Sequence, residues 1–327
     1  MIKPALSASK LKTFDSCNVM YWFQYVLKIP QQPSPALMIG SATHKILEVY
    51  SEPEFENEVK QIIATNTLTN SCIEFIKKTI QEYHVPVLSH KNENSEELIK
   101  DMVLVGFKAD FLCEGGKRFK AESRFCLDRE NFKVNGVIDA YVDYGEFIEI
   151  RDFKSSQKKF AGEELDANIQ GLVYSLYIRE KYKKPARIKF IFLRQPDDPF
   201  LEIKPFTDSE LDGFEMTLEQ QAKKIGGLNF DLAKLDMAAN KDYPKDGSFG
   251  GPLMCGRGKE IGQLKKDLSL MYQCPFKHPF DYYIVGKEKT LFKPKSGKFE
   301  TKHFEGCPAF AKYHVTKTQT AEDLFDF

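Results

Sequence analysis

Hydrophobic periodicity predicts a mixed chain: an α/β or α+β core, preceded by a helical region and followed by an irregular one. Three observations carry this. Apolar residues recur at helical spacing through much of residues 8–112. Three short apolar or alternating runs, separated by turn residues, then fill Phe119–Phe153. A helix, a strand and a helix follow over 163–225, and beyond Leu228 the periodicity fades. With 327 residues, 42% of them apolar, the chain can bury a sizeable core, which excludes wholesale disorder.

Taken in order, residues 8–28 combine helical spacing with many aromatics (Phe14, Tyr21, Trp22, Phe23, Tyr25), and Pro30, Pro33 and Pro35 read as a linker. Helices are predicted from Gly40 to Tyr50 and over Glu54–Thr65, Ser71–Tyr83 and Glu96–Leu112. Phe119–Cys126, Val134–Val142 and Phe147–Phe153, punctuated by Asp128-Arg129-Glu130-Asn131 and Tyr144-Gly145, read as an antiparallel meander. Glu163–Lys181 is helical, Ala186–Arg194 a strand and Asp208–Ile225 a helix.

No run reaches the eighteen or so apolar residues of a membrane span. Met1–Leu6 is too short for a secretory signal, so a cytoplasmic protein is expected. Lys+Arg 47 balance Asp+Glu 47, which excludes a bulk polycation; binding to nucleic acid would need positive charge gathered locally. The 7 cysteines, odd in number and widely spaced, favour buried thiols or a metal site over a disulfide framework.

The chemistry concentrates in Gly136–Lys154. If Tyr144-Gly145 is a two-residue hairpin turn, Asp143 pairs with Glu146 and Asp139 falls opposite Ile150. Asp139, Ile148, Ile150, Asp152 and Lys154 then share a face, with Asp152 diagonal to Asp139 at roughly 7–8 Å. Two carboxylates and an amine on an apolar face call for a cation, and carboxylate oxygens select hard ions such as Mg²⁺ or Mn²⁺. The plain alternative is a hairpin with surface acids.

Asp139 followed by Asp152-Phe-Lys154 resembles the PD-(D/E)xK nuclease motif, and more narrowly the RecB/AddB-like branch that includes phage exonucleases and CRISPR-adaptation exonucleases. Gly40-Ser-Ala-Thr-His44 resembles the branch's upstream histidine helix, Gln170-Gly-Leu-Val-Tyr174 its QxxxY motif, and Ser7–Cys17 its opening helix. The resemblance spans about residues 7–194. It implies a restriction-endonuclease-like α/β core, a central mixed β-sheet flanked by helices, at 116–227. A helical region at 1–115 would pack on that core, a loop-rich basic region would occupy 228–315, and 316–327 would be a flexible acidic tail. Asp139 and Asp152 would hold Mg²⁺ or Mn²⁺ with the carbonyl after Asp152, and Lys154 would position the attacking water. His44 would add a ligand; without the family it reads as a helix histidine beside Glu48. Gln170 and Tyr174 would bind the DNA backbone or steady Lys154; otherwise they are helix packing. Glu122, mid-strand between Lys120 and Arg124, is a further metal candidate, equally explained as a solvated strand residue.

Some relatives carry an iron–sulfur cluster on one cysteine of the opening helix and three after the core. Cys17, Cys255, Cys274 and Cys307 stand in that order, though the last three are far apart, so a 4Fe–4S cluster competes with unrelated buried thiols and, more remotely, with zinc. Cys72, Cys113 and Cys126 read as core or strand residues. Residues 252–303 are rich in Lys and Arg with interleaved aromatics, a mixture suited to phosphate contact and base stacking. The tail Gln319–Phe327 alternates acids with Leu324, Phe325 and Phe327; Ala321–Phe325 resembles a sliding-clamp docking peptide. The acidic, Phe-ending tail also resembles the tips of single-stranded-DNA-binding proteins, which dock partners or mask a basic DNA groove, the plain alternative being a tail that packs on its own domain.

The expectation is therefore a metal-dependent DNA nuclease, an exonuclease by resemblance, acting in DNA repair, recombination or replication in a bacterial or phage-infected cell. Its rivals are a non-catalytic DNA-binding or assembly factor that keeps the fold and an enzyme acting on another phosphoester. The chain lacks a GxxxxGK[ST] P-loop, so any unwinding would come from a partner.

Overall fold

A computed structural model describes residues 3–31, 34–86, 89–90, 93–162, 165, 168–240 and 274–313. The chain forms two compact units, Met1–Ala8 with Pro33–Lys223, and Ser9–Gln32 with Lys224–Phe327.

The described elements begin with β1 (Ala5–Leu6), α1 (Ala8–Ser16), α2 (Asn18–Tyr21) and α3 (Pro35–Tyr50). Next come α4 (Glu56–Thr65), α5 (Asn70–Glu82), the short strands β2 (Ser89–His90) and β3 (Glu93–Asn94), and α6 (Ser95–Lys108). The strand-rich centre holds β4 (Lys117–Arg118), β5 (Ser123–Asp128), β6 (Lys133–Ile138), β7 (Ala140–Asp143) and β8 (Ile148–Lys154). Then follow α7 (Ile169–Tyr182), β9 (Ala186–Phe192), β10 (Phe200–Ile203), α8 (Asp208–Gly226) and α9 (Phe230–Leu235). The last strands are β11 (Phe280–Val285), β12 (Glu288–Thr290) and β13 (Glu300–Phe304).

The first unit is built on a mixed five-stranded sheet of order β10-β9-β8-β7-β4, in which β8 and β9 run parallel and the other pairs antiparallel. A three-stranded sheet, β1-β6-β5, adjoins it in sequence. The parallel pair requires a crossover, supplied by α7. Helices α3 to α6 bury Ile46, Leu47, Ile62, Ile76 and Phe107 in one core with Phe153 and Ile191 of the sheet. Every residue of β8 except Lys154 is buried, as expected of a central strand covered on both faces.

Three sequence expectations are corrected locally. Pro35, read as linker, is the first residue of α3, where its missing N–H costs nothing; the Ser34 hydroxyl caps the helix by accepting from Leu37 N at 3.2 Å. The β7–β8 connection is a four-residue loop, 144–147, closed by Tyr144 N donating to Phe147 O. Asp143 therefore pairs with Ile148, and Ala140 with Arg151, two residues on from the expected register. The shift is two residues, so every side chain keeps its face. Finally, Val134–Val142 is not one strand: it breaks at Asp139, with β6 pairing β5 and β7 pairing β8.

The second unit packs Val19, Phe23, Phe276, Tyr282, Phe304 and Phe310 around Cys17 and Cys307. Its sheet is antiparallel, of order β12-β11-β13. Among the described residues no helix is long and apolar enough to cross a membrane.

Candidate active site

The site gathers where β6 bends into β7, at the end of β8. Asp139 occupies the bend, and its Oδ2 accepts the Phe153 amide at 2.8 Å. This ties the bend to β8 one residue past Asp152. Glu122 is not mid-strand. It precedes β5 with φ 49°, and its N–H donates to Asp139 O at 3.0 Å. A left-handed glutamate is strained backbone, of the kind that persists where surrounding structure over-determines it.

His44 reaches this point from α3. The helix passes close to the end of β8: a Cβ on Gly40 would lie 2.9 Å from Ser155 Oγ. His44 Nδ1 then sits 3.4 Å from Asp139 Oδ2 and 3.8 Å from Glu122 Oε1. One donor atom from each of His44, Glu122 and Asp139 lies within 4.8 Å of the others. Burial disfavours the imidazolium, but the Asp139 and Glu122 carboxylates overrule it, and the His44 pKa rises from 6.5 to about 10.

Asp152 and Lys154 meet α7. Asn168 caps this helix by accepting from Gly171 N at 2.9 Å. A Cβ on Gly171 would stand 2.6 Å from Ile203 Cδ1, so a larger residue there would have to displace the end of that side chain. Gln170 Nε2 donates to Asp152 Oδ1 at 2.6 Å and to the Tyr174 hydroxyl at 2.7 Å, while its Oε1 accepts from Lys154 Nζ at 2.8 Å. The Tyr174 hydroxyl donates to Val137 O at 2.7 Å. Burial, then the nearby Asp152 and Asp139 charges, raise the Tyr174 pKa and keep that proton in place.

The donor set of carboxylates and one imidazole suits a hard divalent cation. Asp152 bears on this directly. It is 2% exposed, and burial followed by the charge of Asp139 raises its pKa, against the pull of Lys154 and His44. Its Oδ2 is ion-paired with Lys154 Nζ at 2.5 Å. Three carboxylates, Glu122, Asp139 and Asp152, stand against one ammonium and one imidazole, and this excess of negative charge favours a cation, so these residues fit a metal ion. His44, Glu122 and Asp139 also line a pocket together with Arg118, Phe119 and Tyr141.

A model of the PD-(D/E)XK nuclease superfamily matches residues 5–244. The chain belongs to that superfamily. The nuclease is therefore a hydrolase of phosphodiester bonds. Similar solved structures include a candidate exonuclease from Eubacterium rectale, 15% identical, covering 74% of this chain and 90% of that one, with TM-score 0.44. A protein named SSO0001 is 8% identical, covering 75% and 88%, with TM-score 0.29. Protein VC1899 from Vibrio cholerae is 9% identical, covering 61% and 56%, with TM-score 0.20. No curated protein matches the chain.

The sequence reading passed over one group in the nuclease. Glu149 and Arg151, on the opposite face of β8 from Asp152, are buried together; Arg151 Nε donates to Glu149 at 2.6 Å. Arg151 also donates to Asp110 Oδ2 at 2.7 Å and to the Tyr144 hydroxyl at 3.2 Å, while Lys189 reaches Glu149 at 3.0 Å. The available signal was the alternation of Glu149 and Arg151 with Ile148 and Ile150 in the first half of the strand.

Of the sequence-predicted cysteines, Cys17, Cys274 and Cys307 lie in or against one cluster of the second unit. Cys255 lies outside the described residues, as does the tail 319–327. Cys72 and Cys113 are buried and Cys126 is exposed on β5.

Proposed function

We propose that this nuclease is a metal-dependent deoxyribonuclease of the RecB/AddB-like branch that degrades DNA from its ends. The observation that carries the reading is the convergence of Asp139, Asp152 and Lys154 with His44 and Glu122 at one sheet end. His44, Glu122, Asp139 and Asp152 would hold Mg²⁺ or Mn²⁺, which would supply Lewis-acid stabilisation of charge building on the scissile phosphate. Lys154 orients the attacking water through its ammonium group. Gln170 holds that amine by its oxygen and Asp152 by its nitrogen, so one amide fixes the spacing between acid and amine. Tyr174 locks the amide rotamer against Val137.

The intact Asp139, Asp152 and Lys154 count against a non-catalytic assembly factor. The test compares linear end-labelled DNA with covalently closed circles of the same sequence in Mg²⁺ and in Mn²⁺. Release of mononucleotides or short fragments from linear DNA only is expected; equal cutting of circles contradicts the exonuclease reading.

A second reading concerns the cysteines. Cys17 and Cys307 belong to one hydrophobic cluster and Cys274 packs against it; with Cys255, which lies outside the described residues, they are the four thiols that a 4Fe–4S cluster would need. Protein purified without oxygen should contain iron, and Cys17→Ser should lose it. Iron-free anaerobic protein contradicts this site. Clamp docking by residues 319–327 is tested by deleting them and measuring binding to the cognate clamp.

A further inference from the structure

The segment joining β12 to β13 belongs to the second unit and takes no part in the site above. Thr290 pairs with Tyr283 and Glu300 with Ile284, on opposite sides of β11. The nine residues between, Leu291–Phe299, therefore pass from one edge of the sheet to the other, with both ends held in its ladder. Their sequence is Leu-Phe-Lys-Pro-Lys-Ser-Gly-Lys-Phe. Pro294 restricts its own φ and its predecessor, and Gly297 turns with φ 95°. Phe299 is anchored edge-on to Tyr283, with centroids 5.6 Å apart.

What remains outward is of two kinds. Lys293, Lys295 and Lys298 are exposed, with no ion-pair partner among the described residues, and no acid occurs from Lys289 to Phe299. Phe292 is 61% exposed, the most exposed aromatic among the described residues, and stands directly before the first of these lysines. Lys289 differs: it donates to Leu27 O at 2.6 Å and is spent on the fold. Three uncompensated ammonium groups on a short restrained loop fit a chain of phosphates. An outward aromatic face beside them fits an unstacked base, which only a single strand offers.

We propose that loop 291–299 is a single-stranded DNA-binding site, with Lys293, Lys295 and Lys298 on consecutive phosphates and Phe292 stacking a base. The choice of DNA rests on the nuclease reading; the loop belongs to the second unit and the metal centre to the first.

The test is equilibrium binding of a labelled oligothymidylate to the full chain in EDTA across a range of salt concentrations. Wild type is compared with Phe292→Ala and with Lys293→Gln/Lys295→Gln/Lys298→Gln, all shown to be folded by circular dichroism. Phe292→Ala should weaken binding about 10-fold. The triple variant should reduce the slope of log affinity against log salt by about 2, as expected for three lost single-strand phosphate contacts. Unchanged affinity and slope in both variants overturn the proposal. So does a triple variant that loses poly-glutamate and DNA alike while Phe292→Ala loses neither, the signature of an acidic polypeptide partner. Because EDTA stops hydrolysis, binding is read apart from cleavage, which is assayed separately with Mg²⁺ and Mn²⁺. Loss of binding in the variants of a protein that cleaves no DNA with either metal leaves the loop standing and removes the deoxyribonuclease reading, and intact binding in the variants of an active nuclease removes the loop alone.

Discussion

The Gln170 side-chain oxygen accepts a hydrogen bond from Lys154 Nζ at 2.8 Å, and the other end of the same amide donates to Asp152. Neither glutamine terminus is interchangeable, because one faces an ammonium group and the other a carboxylate. Gln170→Ala should lower kcat about 10- to 100-fold with little change in KM, as for other groups that orient a catalytic residue through a hydrogen bond. Gln170→Glu should be at least as damaging, since it sets an anion against Asp152. Steady-state kinetics on a DNA substrate check both. A rise in KM at constant kcat would instead make Gln170 a substrate-binding residue.

Gly40 governs how His44 is delivered. In an ordinary exposed helix Gly→Ala stabilises by about 1 kcal/mol, but here the new methyl would meet Ser155 Oγ at 2.9 Å. Gly40→Ala should therefore lower activity by displacing α3 from the end of β8. Gly40→Ala/Ser155→Ala removes the obstructing oxygen and should recover much of it. A double-mutant cycle with no coupling between the two positions would show that α3 does not depend on this contact.

Arg151 is the principal stability prediction. Its side chain is 3% exposed and that of Glu149 10%, so Arg151→Ala leaves a buried carboxylate with Lys189 as its remaining cation partner among the described residues. Breaking a buried pair costs about 3–5 kcal/mol. Denaturant unfolding should show a loss of that order, whereas surface Lys77→Ala, paired with Glu74 on an exposed helix face, should change stability by less than about 1 kcal/mol.

Protonation of His44 gives a pH dependence of definite sign. Burial opposes its charge, the Asp139 and Glu122 carboxylates favour it, and the net effect raises its pKa from 6.5 to about 10. The stabilisation this brings to metal-free protein is fully present below about 6.5 and disappears as pH rises through about 10. In EDTA, the Tm advantage of wild type over His44→Gln should shrink across that range. A metal needs the neutral imidazole, so the Tm increase produced by Mn²⁺ should grow with pH over the same interval. A wild-type advantage independent of pH would mean that His44 does not face those carboxylates.

Much of this was legible from the residues because strand parity is robust. A wrong turn length displaced the β7–β8 register by two residues, yet Asp152 and Lys154, two apart on β8, keep one face, since a strand repeats every two residues; Asp139 sits at the strand break, where that parity does not reach. The i, i+4 spacing of Gln170 and Tyr174 likewise survives any error in where α7 begins. The placement of Glu122 was not legible. Its role depends on a left-handed backbone and on a break in the β6–β7 strand, neither of which has a periodic signature. Arg151 was missed for a related reason: a charge pair within one strand reads as solvent-facing until the helices that cover the second face are known.

The most direct measurement is hydrolysis of end-labelled linear DNA by wild type and by Asp152→Asn, each with Mg²⁺, with Mn²⁺ and with EDTA. Asp152→Asn keeps the size of the side chain and removes its charge, so a folded protein is expected. Wild type should cleave with either metal and not in EDTA, and Asp152→Asn should lose on the order of 10³-fold in kcat. Cleavage in EDTA, or a folded Asp152→Asn variant with near-normal turnover, would contradict the assignment of this carboxylate cluster as the catalytic metal site.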